Sequence, residues 1–127
     1  MDIEIEKEFL QNYIKREYQE RILHELTKKR EKALSRFSHN AIELLKKELP
    51  ISLIKNEKDI ESFRKLKNIN EECYFISRFY DGTIMKLDNA LKEAFHDSCA
   101  SIIITKTFII IKEEVEIGFS NIYFIHS

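Results

Sequence analysis

The sequence predicts an α+β fold: N-terminal helices packed on a small, mostly antiparallel sheet, with one helix between strands in the order β-β-α-β-β-β. Three observations carry that expectation. From Glu4 to Leu49 there is neither Gly nor Pro, and apolar residues recur at helical spacing. From Glu72 onward the period shortens, and β-branched and aromatic residues take over. The charge divides as well, residues 51–70 carrying net +2 and residues 71–127 net −4. A chain of 127 residues is of single-domain size. One domain over 1–127 is expected, its helical part at about 4–67 and its α/β part at about 72–127.

Leu10, Ile14, Tyr18, Ile22 and Leu26 step by four, with Tyr13 and Leu23 broadening the stripe. That spacing predicts one amphipathic helix. A second stripe, Leu34, Phe37, Ala41, Leu44 and Leu45, is out of phase with the first. A break is therefore expected near Thr27–Arg30, with Thr27 as N-cap. Pro50 ends the second helix, because the residue before a proline is pushed away from helical angles. Asn56 precedes EKDIESFRKL, where Ile60, Phe63 and Leu66 share one side of a short third helix.

Cys73–Tyr80 reads as a strand, Asp81-Gly82 as a turn and Thr83–Met85 as a short returning strand. Asp88 is expected to cap a helix of two to three turns with Leu87, Leu91 and Phe95 apolar. Ala100–Thr105, Thr107–Lys112 and Asn121–His126 supply the remaining strands. Ile102–Ile104 and Ile109–Ile111 do not alternate with polar residues, which predicts central strands with helices on both faces. No Gly or Asn marks the turn at Lys106.

Several chemistries are excluded by composition. Gly82 and Gly118 are the sole glycines, too few and too far apart for a phosphate-cradling loop. Cys73 and Cys99 form no CxxC pair, and His24, His39, His96 and His126 have no metal-ligand spacing. No cofactor is expected. The MDIEIEKEF start lacks a basic, then apolar, leader pattern, and the longest apolar window, Ala100–Ile111, is too short to cross a bilayer as a helix. The expected location is the cytoplasm, with no membrane partner.

Two surfaces compete as binding sites. One is acidic and aromatic: Asp81, Glu113, Glu114 and Glu116 with Tyr80, Phe119 and Tyr123, which flank turns. Carboxylates there attract a basic protein, and aromatic rings anchor it. The alternative is a basic face of Lys28, Lys32 and Arg36, which step by four and would meet nucleic-acid phosphates. Ser35 and His39 stand at i,i+4 as a conceivable nucleophile and base, yet within a helix and with no glycine loop to bind an oxyanion. A noncatalytic protein is expected, with a protein partner ahead of nucleic acid, and homodimerisation through the long first helix as a further option.

The arrangement over residues 73–127, YFISRFYDGTIMKLDNALKEAF followed by SIIIT, FIIIKEE and IYFIHS, resembles small bacterial immunity proteins and related α+β modules. That resemblance implies a cytosolic protein that binds one toxin domain and neutralises it without catalysis. It implies no role for any individual residue.

Overall fold

The computed structural model describes residues 2–54, 56–66, 70–78, 81–96, 99–114 and 121–126. Three helices come first: α1 (Ile3–Tyr13), α2 (Arg16–Lys28) and α3 (Arg30–Leu44). A strand, β1 (Ile51–Ile54), precedes α4 (Glu57–Leu66). Then follow β2 (Glu72–Ser77), β3 (Thr83–Lys86), α5 (Leu87–His96), β4 (Ser101–Ile104), β5 (Phe108–Lys112) and β6 (Ile122–His126). All strand pairs are antiparallel, in the order β1-β6-β5-β4-β2-β3. The α+β fold and the β-β-α-β-β-β order from residue 72 are as the sequence predicts.

The isoleucine triplets serve both faces of the sheet. Ile102, Ile104, Ile109 and Ile111 pack with Phe9, Leu10, Ile14, Ile22, Leu26 and Phe37 of the helical layer. Ile103 and Ile110 point the other way, toward Leu87, Leu91 and Ala94 of α5 and Ile60 of α4. Full burial stabilises each such side chain by about 1.5–3 kcal/mol, which is why so short a central strand as β4 suffices. None of the helices among the described residues is long and apolar enough to cross a membrane.

The Leu10–Leu26 stripe is two helices rather than one. Ile14 is extended (φ −101°, ψ 139°) and bridges Leu45. Lys15 N–H donates to Leu44 O at 2.9 Å and Lys46 N–H to Tyr13 O at 3.0 Å. Those tertiary bonds replace helical ones at a position with no Gly or Pro to announce them. The expected break near Thr27–Arg30 falls at Lys29 (φ −144°, ψ 62°). Thr27 does not cap the next helix. It lies inside α2, its hydroxyl donating to Leu23 O at 2.8 Å.

The strand β1 interrupts what the sequence presents as a wholly helical segment. Four residues, ISLI, are too few for a period to declare itself, and β6 supplies the pairing that makes them a strand. Asn56 does cap α4, its Oδ1 accepting from Asp59 N–H at 3.1 Å. Asp88 instead lies in the first turn of α5, which starts at Leu87 directly after β3. Gly82 supplies the positive φ (70°) that the Asp81-Gly82 turn requires. At Lys106 the turn is held by Thr105, whose hydroxyl donates to Phe108 O and accepts from Phe108 N–H at 3.1 Å. A threonine hydroxyl thus does what Gly or Asn would otherwise do there.

Candidate functional site

Asp81 belongs to a clasp rather than to an open acidic surface. Arg30, the first residue of α3, uses all five of its N–H donors. Nη1 and Nη2 grip the Glu6 carboxylate at 2.8 and 3.0 Å, Nη1 also reaches Leu26 O at 3.0 Å, and Nη2 and Nε hold Asp81, Nη2 at 2.6 Å. Tyr74 of β2 donates its hydroxyl to Glu6 at 2.6 Å and accepts Asp2 N–H at 2.8 Å. Burial, with Glu6 alongside, pushes the Tyr74 phenol up to about 12. Burial alone would discourage the Arg30 charge, but Asp81 and Glu6 outweigh it and hold the guanidinium firmly protonated. One arginine therefore ties α1, α3 and the β2–β3 turn together.

The basic face does not assemble as the spacing suggests. Lys28 ends α2, whereas Lys32 and Arg36 lie on α3 beyond the Lys29 break. Arg36 is turned onto the buried Glu25 of α2, Nε at 2.5 Å and Nη2 at 2.9 Å, with Lys32 at 3.9 Å from the same carboxylate. Lys28 and Lys32 remain exposed. The Arg36 hydrogen bonds, against the opposing effect of burial, hold the Glu25 carboxyl below its ordinary 4.5. A carboxyl with a lowered native pKa contributes stability above its unfolded pKa and loses it as pH falls through the native one. The urea midpoint is expected to drop as pH falls below 4.5, and less steeply in Glu25→Gln. Parallel slopes in the two proteins would refute this.

At the far end of the sheet Glu113 and Glu114 follow β5. Glu113 is half-buried, accepting from Tyr123 OH at 3.0 Å and Asn121 Nδ2 at 3.2 Å. Burial and that carboxylate raise the Tyr123 pKa. Tyr123 sits within β6 and packs on the helical core, so its ring is not a free-standing anchor. Glu114 is exposed, and its backbone N–H donates to the Ser38 hydroxyl of α3 at 3.2 Å. Tyr80, Glu116 and Phe119 lie outside the described residues.

Glu114 lines a groove of about 220 Å³ between α3 and the sheet end, with Glu31, Ser35, Arg78 and Cys99 among the other walls. The chain matches no family model, no curated protein and no solved structure. The groove brings the predicted Glu114 together with Glu31 and Arg78. Ser35 is exposed on its wall, and no hydrogen bond joins it to His39 among the described residues. Cys73 is buried in the other core, where burial, with Glu71 nearby, pushes its thiol up to about 12. No cluster of three metal-ligating side chains occurs among the described residues. A larger cleft of about 300 Å³ is walled by Ile5, Phe9, Tyr13, Ile84 and Ile104 and includes none of the predicted site residues.

Sequence reasoning missed the buried charges. Glu6 lies three and four residues before Phe9 and Leu10, and Glu25 sits beside Leu26, both on the apolar side of their helices. A carboxylate in an apolar stripe was the available signal. Lys112, buried after the second isoleucine triplet, donates its Nζ to Ala94 O in the last turn of α5. A cation there complements the helix C-terminus.

Proposed function

We propose that this chain is a small noncatalytic protein-binding module of the immunity or antitoxin type, receiving a basic side chain of its partner in the groove beside Glu114. The supporting observation is the distribution of exposed carboxylates. The guanidiniums of Arg30 and Arg36 are held by carboxylates within the fold, whereas Glu31 on α3 and Glu114 after β5 are exposed where they line the groove, beside Arg78. Two carboxylates facing a cationic side chain speed encounter and make it salt-sensitive. Glu113 supports Tyr123 behind them and is left untouched by the test.

The test is affinity capture from the native host at low salt, using the natural protein and Glu31→Lys/Glu114→Lys in parallel. A stoichiometric basic protein that is lost from the double variant, and lost as salt rises, is the expected result. Equal capture by both would reject the groove. Nucleic acid released by salt from both would transfer the assignment to Lys28 and Lys32.

A further inference from the structure

The phase of the backbone hydrogen bonds identifies what the β1 edge offers. His126 N–H donates to Pro50 O at 3.2 Å, in step with the Ile51↔Ile125 register. Residues 50, 52 and 54 therefore turn their backbone groups toward β6. The neighbouring pair gives the same phase: Glu113 N–H donates to Asn121 O at 2.9 Å, which assigns 121, 123 and 125 to β5 and leaves 122, 124 and 126 for β1. The N–H and C=O groups of Ile51 and Leu53 consequently point away from the sheet. β1 is its terminal strand and contains no charged residue. The side chains of Ile51 and Leu53 share the face of Ile125 and Tyr123 and are 38% and 43% exposed.

We propose that this edge pairs with the same edge of a second copy, antiparallel about a two-fold axis through Ser52. In that register Ile51 of each copy lies opposite Leu53 of the other, and the outward backbone groups of both residues meet in four N–H···O=C bonds. Shifting by two residues in either direction sets one of them against itself and leaves the other without a strand partner. No like charges face each other across the axis. The β3 edge is different. Leu87 N–H donates to Glu71 O at 2.7 Å, so the outward groups there belong to Ile84 and Lys86, and an edge lysine disfavours pairing. Pairing β1 with β3 of the next copy would not close, and would grow. A four-residue edge buries far less than the roughly 1,200 Å² of a standard interface, so the dimer is weak and concentration-dependent.

Sedimentation velocity from micromolar to millimolar protein, with amide hydrogen exchange on the same samples, tests the pairing. The sedimentation coefficient is expected to rise toward that of a dimer. The Ile51 and Leu53 amides should exchange about tenfold more slowly at the highest concentration, with Ile84 unchanged. Ile51→Glu and Leu53→Lys should each abolish both effects. The double variant Ile51→Glu/Leu53→Lys should restore them in a salt-sensitive form, because opposite charges then face each other across the axis. A monomer with concentration-independent exchange would overturn the proposal, as would a dimer indifferent to Leu53→Lys or growth beyond two copies. A double variant no better than the single ones would overturn the register. Should a variant fail to fold, the exchange of the unaltered protein still decides.

Discussion

Arg30→Ala is expected to cost about 3–5 kcal/mol of folding stability, because it strands a carboxylate that is almost wholly out of solvent. Glu6 accepts three hydrogen bonds, two of them from Arg30, and only the Tyr74 hydroxyl would remain. Tyr74→Phe removes the lesser partner and should cost about 1–3 kcal/mol. Removing both charges together, as Arg30→Met/Glu6→Leu, should be less damaging than Arg30→Ala alone, since no unpaired charge is left buried. Urea midpoints at constant slope measure all three. A loss within about 0.5 kcal/mol for Arg30→Ala would mean that Glu6 is solvated, contrary to the clasp described above.

Phe37→Ala is expected to cost about 3–5 kcal/mol by opening a cavity where three helices meet the sheet. The Phe37 ring is 1% exposed and lies 5.7 Å, centroid to centroid, from Phe9, in the cluster that also holds Ile102, Ile109 and Ile111. The surrounding side chains are held on separate helices and strands, which limits collapse into the space. Ile42, on the same helix but 46% exposed, supplies the control, and its replacement by alanine should change stability by no more than about 0.5 kcal/mol. Equal losses at the two positions would place the core elsewhere.

Much of the architecture is legible where local preference and packing agree. The isoleucine triplets announce a sheet covered on both faces, the Asp81-Gly82 turn marks a reversal, and Asn56 marks the start of a helix. Legibility fails where a distant partner decides. Ile14 leaves the helix because Leu45 bridges it, and Ile51–Ile54 becomes a strand because β6 lies alongside. The candidate surface suffers from the same cause. Asp81 and Arg36 read as unpaired surface charges in the sequence, since the partners that engage them, Arg30 and Glu25, lie 51 and 11 positions away. Glu114 keeps the exposure expected of it although Ser38 meets both its backbone N–H and its carboxylate, at 3.2 and 3.3 Å.

The strand order also constrains how the chain reaches its native state. β1 has one neighbour, β6, and that neighbour is the last strand in sequence among those described. Ile51 must wait for Ile125, so β1 is unable to dock until the chain has been made through β6. Pairings so distant are closed late and slowly, and they raise the contact order of an otherwise helix-rich protein. During that interval the backbone groups on both sides of residues 51–54 lack a strand partner, and such unpaired segments are where incompletely folded chains are most exposed to mispairing.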